Sequence, residues 1–378
     1  MNILYICTPT SIHDQKWMRY FAEKEEFNVF AVGESKIDES TFYDLKKQNI
    51  NLLPSIDSFS IKTPYKNHQS IQKLRKYCEL YKIDLVHVLF ATPYALWVNC
   101  INTPYMITTR GSDVLVVLPE LKEQKGVRGI YFSWLFKKFQ KAFSSAKAIT
   151  CTSELQQKRI KELFGLKADV IRTGVDVEKI VNLNPNDYLP SELKGVKYIF
   201  SPRFMSPIYN ISFQIEALAF LPKSITENYA FVFVKGKQFN PQYFEEQLKS
   251  LQQLGNINYI ILDYLSQEAL WATFKRAALT IMTPISDGTP NSALEAMAAG
   301  SPLIVSDLPY DKDLFENTCV KTSLKDPKVL AQLIENTLEN PNEFKQEAND
   351  AVYKFGNRAS EMQKLEKLYQ ILKSQPLS

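Results

Sequence analysis

The chain predicts an α/β protein made of two doubly wound parallel sheets. Three observations carry that expectation. Short apolar runs alternate with amphipathic helical patterns, the alternation restarts after a polar, turn-rich stretch, and 378 residues at 45% hydrophobic content suffice for two cores. The first series of apolar runs lies at residues 3–8, 27–32, 50–53, 85–90, 105–108, 148–151 and 170–172, with helical patterns such as 14–23, 68–81 and 153–163 in the gaps. Strands separated by helices need crossover connections, so they pair in parallel and are covered on both faces. The second series lies at 198–201, 231–234, 259–262, 279–283, 303–306 and 320–322. Between them, Leu183-Asn-Pro-Asn-Asp-Tyr-Leu-Pro-Ser191 reads as a linker. The expected domains are therefore 1–185 and 193–354, followed by a segment 355–378 that turns at Phe355-Gly-Asn357 and forms a last helix over 359–373.

Composition narrows the function. Charged residues make up 23%, ordinary for a globular protein, and a formal net charge of +4 does not argue for nucleic acid, although it permits a weakly basic face for an anionic ligand or a membrane surface. The start, Met1-Asn-Ile-Leu-Tyr-Ile-Cys7, lacks the basic flank of a signal peptide and reads as the first strand. No apolar run approaches a membrane-spanning length. Five scattered cysteines read as reduced, buried thiols of a cytosolic protein, and three histidines without a Cys/His cluster support no metal site. No cofactor is expected.

The most informative stretch is Ser286-Asp287-Gly288-Thr289-Pro290-Asn291-Ser292-Ala293-Leu294-Glu295-Ala296-Met297-Ala298-Ala299-Gly300-Ser301-Pro302. Apolar strands flank it. Pro290 suits a first helical turn, Ala293 to Ala299 favour helix, and Gly300 with Pro302 ends it. A strand, a small-residue loop and a helix N-terminus direct backbone N–H groups at one spot, which suits an anion. Asp287 lies in that loop and Glu295 about two turns into the helix, so one carboxylate can meet a sugar and the other a ribose beside a bound diphosphate. The plain alternative is an αβ loop whose Asp sits on the helix dipole.

The segment resembles the carboxylate-x7-Glu signature of retaining glycosyltransferases of the GT-B fold, glycosyltransferase family 4, the glycosyl transferases group 1. The family's common form is Glu-Gly-Phe-Gly-x4-Glu followed by Ala-Met-Ala-x-Gly-x-Pro. Here the spacing and the tail are kept, but Asp287 stands for the first Glu. The Asp-Gly-Thr-Pro-Asn variant resembles the surface-polysaccharide branch. The resemblance implies two Rossmann-like domains facing across a cleft, with the donor on the second, the acceptor on the first, and a C-terminal helix crossing back to the first. It implies a nucleotide diphosphate sugar donor of UDP or GDP type and a saccharide or lipid-linked saccharide acceptor. Glu295 would hold the ribose hydroxyls and Asp287 the sugar hydroxyls. Arg203 and the backbone of Gly288, Thr289, Pro290, Asn291 and Ser292 would stabilise the departing diphosphate. The mechanism implied is metal-independent, with a donor phosphate oxygen deprotonating the acceptor on the same face.

Other motifs support the resemblance and depart from it. Ser201-Pro202-Arg203 follows the first strand of the second half, where the family has an Arg and, about five residues on, a Lys. Arg203 matches, but Ile208, Tyr209 and Asn210 occupy the Lys region. Tyr209 or Asn210 is a candidate phosphate contact, as are Lys235 and Lys237, for which solvated charge is the plainer reading. Arg172-Thr-Gly-Val-Asp176 resembles the family's Asn-Gly-Val-Asp, with Asp176 read as capping local structure. In Thr108-Thr109-Arg110-Gly111-Ser112-Asp113, Arg110 replaces a His that many members carry, and Gly111-Ser-Asp113 matches the polysaccharide branch. Arg110 and Ser112 are candidate acceptor contacts. Asp113 is a candidate catalytic group that orients the acceptor hydroxyl, or else a loop-capping Asp. His87 reads as a satisfied core histidine. His13, near Ser11, Asp14 and Trp17, either lines the acceptor side or neighbours a helix cap. The stretch 122–143 mixes aromatic and basic residues, as either a core-packing helix with solvated lysines or a peripheral membrane contact. Two rival functions share the architecture: a nucleotide-sugar epimerase and a non-catalytic binding subunit.

Overall fold

The computed structural model describes residues 1–60, 62–124, 126–236 and 239–374. The chain divides into two units, Met1–Thr173 with Glu361–Ser378, and Gly174–Ser360. The first unit is built on a seven-stranded sheet of β1 (Asn2–Ile6), β2 (Asn28–Val32), β3 (Ile50–Leu52), β4 (Leu85–Leu89), β5 (Tyr105–Thr109), β6 (Ala148–Cys151) and β7 (Asp169–Val170). Their order is β3-β2-β1-β4-β5-β6-β7, all parallel, so the winding reverses between β1 and β4. The second unit carries β8 (Tyr198–Phe204), β9 (Ala230–Val234), β10 (Tyr259–Leu262), β11 (Leu279–Met282), β12 (Leu303–Ser306) and β13 (Val320–Thr322). Its parallel order, β10-β9-β8-β11-β12-β13, reverses between β8 and β11.

Alternation along each strand feeds two cores per unit, one on each face. In β1, Leu4 and Ile6 join one cluster with Val86, Trp97 and Phe143, while Ile3 and Tyr5 join another with Trp17, Phe21 and Met106. The second unit repeats the pattern: Tyr198 and Phe200 face one core, Ile199 the other. The last helix, Arg358–Ser374, places Met362, Leu365 and Tyr369 in the Tyr5 core, so the chain does return to the first unit. A buried polar chain fastens it there. Tyr5 Oη and Tyr369 Oη lie 2.9 Å apart, Tyr369 Oη is 2.5 Å from His87 Nδ1, His87 Nε2 is 2.6 Å from Thr108 Oγ1, and that hydroxyl is 2.6 Å from Thr150 Oγ1. Burial lowers the His87 pKa to about 3, so the ring stays neutral and serves the core.

The stretch read as a linker folds into the second unit, with a short helix at Pro185–Tyr188, and the break falls at Thr173/Gly174. Val175, Val177, Ile180 and Leu193 are apolar enough to join the second core, and Lys275 Nζ donates to the carbonyls of Val181 and Leu183 at 2.6 and 2.8 Å. Gly174 makes the break possible. Its φ is +64°, and a Cβ there would lie 2.7 Å from Arg358 Cα, where Val175 N–H donates to Gly356 O at 2.8 Å. Asp176 pairs with the Arg358 guanidinium at 2.7 Å, a structural role. β1 ends at Ile6, before residue 8, because the Thr8 N–H turns to the Asp14 carboxylate at 2.7 Å.

Candidate active site

The second sheet brings β8 and β11 side by side although two strands separate them in sequence. Loops at the C-terminal ends of strands on either side of such a reversal diverge and leave a crevice, the usual ligand position in wound sheets. Arg203 emerges from β8, whose pairing with β9 shifts register between Ser201 and Phe204. Such a bulge bends the strand and re-aims the side chains beside it. Asp287 comes from the loop after β11. Arg203 Nη2 donates to Asp287 Oδ2 at 3.0 Å and Nη1 donates to Ser292 Oγ at 2.9 Å, with Arg203 and Asp287 both partly exposed. The Cζ of the same guanidinium lies over the Tyr209 ring, 4.0 Å from its centre. Tyr310 lies close by, its hydroxyl 3.3 Å from Ser306 Oγ, and burial raises its pKa so that it stays neutral.

The helix after this loop, Asn291–Ala298, starts at Pro290 with no side-chain cap, and Ala293 N–H donates to Pro290 O at 3.0 Å. Gly288 N–H donates to Asp287 Oδ1 at 2.8 Å, and Pro290, at the cap position, has no N–H to give. Thr289 Oγ1 donates to Asp311 Oδ2 at 3.0 Å, which ties the loop to the turn after β12. Glu295 is buried on the helix and accepts from Gln267 Nε2 at 3.0 Å. Asn210 adopts a left-handed conformation at φ +51°. Its carbonyl accepts from Thr283 Oγ1 and its side-chain oxygen from Ser212 Oγ, both at 3.3 Å. The ammonium of Lys235 lies 4.6 Å from the Phe239 ring centre and 5.1 Å from that of Phe244, a packed position, and Lys237 lies outside the described residues.

In the first unit the residues after β5 take different parts. Asp113 is fully buried and its carboxylate accepts from the backbone N–H groups of Ala91, Arg110, Gly111 and Val114 at 2.8–3.3 Å. Those bonds oppose the upward push of burial on its pKa. An acid so bonded shapes the loop, as the loop-capping reading of Asp113 expects. Arg110 forms a close ion pair with the buried Asp14, and burial lowers its pKa to about 10, so it remains a cation near neutral pH. His13, in the first turn of the helix Ile12–Ala22 that follows β1, and Ser112, at the cap of the helical turn Asp113–Val117 that follows β5, are both exposed.

Sequence reasoning missed Asp311, Gln267 and the pairing of Asp14 with Arg110. Each depends on residues distant in the chain, and none lies in a spaced motif. Among the described residues no three His, Cys, Asp or Glu side chains gather as a metal site, and no helix is long and apolar enough to cross a membrane.

Two parallel wound sheets, with an arginine and a carboxylate at the reversal of the second, define a GT-B protein. Profile comparison agrees: the family described as Glycosyl transferases group 1 matches residues 190–355, and Glycosyltransferase Family 4 matches residues 19–179. The chain belongs to glycosyltransferase family 4. It is 25% identical over 304 residues to the putative teichuronic acid biosynthesis glycosyltransferase TuaC of Bacillus subtilis, covering 75% of this chain and 68% of that protein. Its fold is similar to a glycosyltransferase from Rickettsia africae, with a TM-score of 0.78, 15% identity and 99% of both chains covered. It is also similar to Anabaena Alr3699/HepE, solved in complex with UDP, with a TM-score of 0.75, 15% identity, and 98% of this chain and 100% of that chain covered.

Proposed function

We propose that this glycosyltransferase moves a sugar from a nucleotide diphosphate sugar, of UDP or GDP type, to a saccharide or lipid-linked saccharide with retention of configuration and without a metal. The observation that carries this reading is the Arg203–Asp287 pair at the β8/β11 reversal, one loop before the helix that bears Glu295. Arg203 and the N–H groups of Asn291 and Ser292 hold the departing diphosphate, where preorganised donors stabilise developing charge. Asp287 takes the sugar hydroxyls and Glu295 the ribose hydroxyls. The bond from the anomeric carbon to the diphosphate breaks as the acceptor oxygen bonds to that carbon on the same face. The acceptor proton passes to the leaving phosphate oxygen. Arg110, Ser112 and His13 serve the acceptor in the first unit. The names of the similar proteins support this reading: TuaC points to a surface-polysaccharide role and the HepE complex to a uridine diphosphate donor.

Incubation with UDP-sugars and GDP-sugars and a pool of saccharide acceptors tests it, with products read by mass spectrometry and anomeric NMR. Transfer with retained configuration, unchanged by EDTA, is expected. Inverted product, EDTA loss rescued by manganese, or isomerised sugar from donor alone each contradict the corresponding part.

The first unit also offers a surface for a lipid-linked acceptor. Val116, Val117, Ile130 and Trp134 are exposed, and the Lys138 ammonium lies 4.8 Å from the Trp134 ring centre. Exposed apolar side chains beside lysines suit an anionic interface. The protein is expected to float with phosphatidylglycerol vesicles, and Ile130→Glu with Trp134→Glu should abolish it. Wild-type protein left behind in the soluble fraction would remove this role.

A further inference from the structure

We infer that Tyr209 is a positioning residue that holds Arg203 in place before the donor diphosphate binds. This rests on the donor reading above and deepens it. The region that resembles the family's Lys position carries Ile208, Tyr209 and Asn210, and its contact with Arg203 is made by a ring. Tyr209 lies under the guanidinium at 4.0 Å, and the edge of Phe204 meets it at 4.7 Å between centroids and 82° between planes.

Each part of this stack is itself restrained. Phe204 ends β8 against Gly236, where an added Cβ would lie 2.5 Å from the Phe204 Cβ. The turn Pro207–Tyr209 is closed by Tyr209 N–H on Ser206 O at 3.0 Å. It is stitched to the Asp287 loop by Ile285 N–H on Ile208 O at 3.0 Å and by Thr283 Oγ1 on Asn210 O at 3.3 Å. The guanidinium therefore lies over an aromatic ring and has its two terminal nitrogens on Ser292 and Asp287. A long side chain that would otherwise sample many rotamers is held before the ligand arrives, so less conformational freedom is lost on binding.

The role belongs to the ring, not to the hydroxyl. Tyr209→Leu should weaken UDP binding about threefold to thirtyfold in calorimetry, the range of a partly desolvated cation–π contact. It should raise the donor KM by a similar factor and change acceptor KM little. Tyr209→Phe should restore both. A crystal structure of ligand-free Tyr209→Leu should show Arg203 away from Ser292. If Tyr209→Phe is as impaired as Tyr209→Leu, the hydroxyl is the active group and the ring account is overturned. Arg203 unmoved in the Leu variant, or undiminished UDP affinity, overturns it as well. Wild-type protein that binds neither UDP nor GDP would remove the donor reading instead, while the crystal structure would still decide the part played by the ring.

Discussion

Asp287→Asn should lower turnover by ~100-fold while UDP binds as well as before or more tightly, the signature of an interaction made only on the way to the transition state. The sign for UDP comes from the ion pair. In the ligand-free protein Asp287 draws on Arg203 at 3.0 Å, so a diphosphate must share that guanidinium with a carboxylate. Replacing the carboxylate by a neutral amide weakens this competition and removes a like charge facing the phosphates. The loss appears only when a sugar is attached and being transferred. Asp287 also holds the Gly288 N–H at 2.8 Å, and Asn keeps an oxygen able to accept it, so the loop should survive. The comparison needs UDP affinity by calorimetry and turnover with the same donor. Wild-type turnover would make the acid structural. Weakened UDP binding would mean that the pair serves to build the phosphate site.

Glu295→Ala should weaken binding of UDP and of the UDP-sugar equally, by about 1.5–3 kcal/mol, or roughly 10- to 150-fold. Glu295 is 4% exposed and accepts a hydrogen bond from Gln267, so in the proposed ribose role its carboxylate is already placed to accept from a diol. Ribose is present in both ligands, which is why both should suffer, in contrast to Asp287→Asn. Glu295→Gln should lie between wild type and Ala, since the amide still accepts a hydrogen bond without the charge. A melting curve for each variant separates lost contacts from a damaged helix. Unchanged UDP affinity in a folded Glu295→Ala protein would remove it from the ribose.

Strands of both sheets were legible because buried parallel strands write themselves as apolar runs. Residues 148–151, 259–262, 303–306 and 320–322 are strands at the boundaries the sequence predicts. The loop and helix from Asp287 to Gly300 were legible for a similar reason: turn formers, helix formers and a terminating Gly-x-Pro occur in local order, and local order suffices for local structure. Partnership was not legible. Asp113 looked as fit to meet a substrate as to close a loop, and only folding put Ala91 N–H, twenty-two residues earlier, within 2.8 Å of its carboxylate. The break between units lay outside the polar stretch because burial of Val175, Val177 and Ile180 outweighed the turn signals that follow them. Tyr209 could be read as a missing lysine, yet its use as a platform for Arg203 needed the β8 bulge and the contact with Phe204. By itself the sequence determined which residues bear charge and where the backbone turns, since both follow from neighbours in the chain. The tertiary structure alone decided which charges meet, because hydrogen bonds and ion pairs act over a few ångströms of space, whatever their separation in sequence.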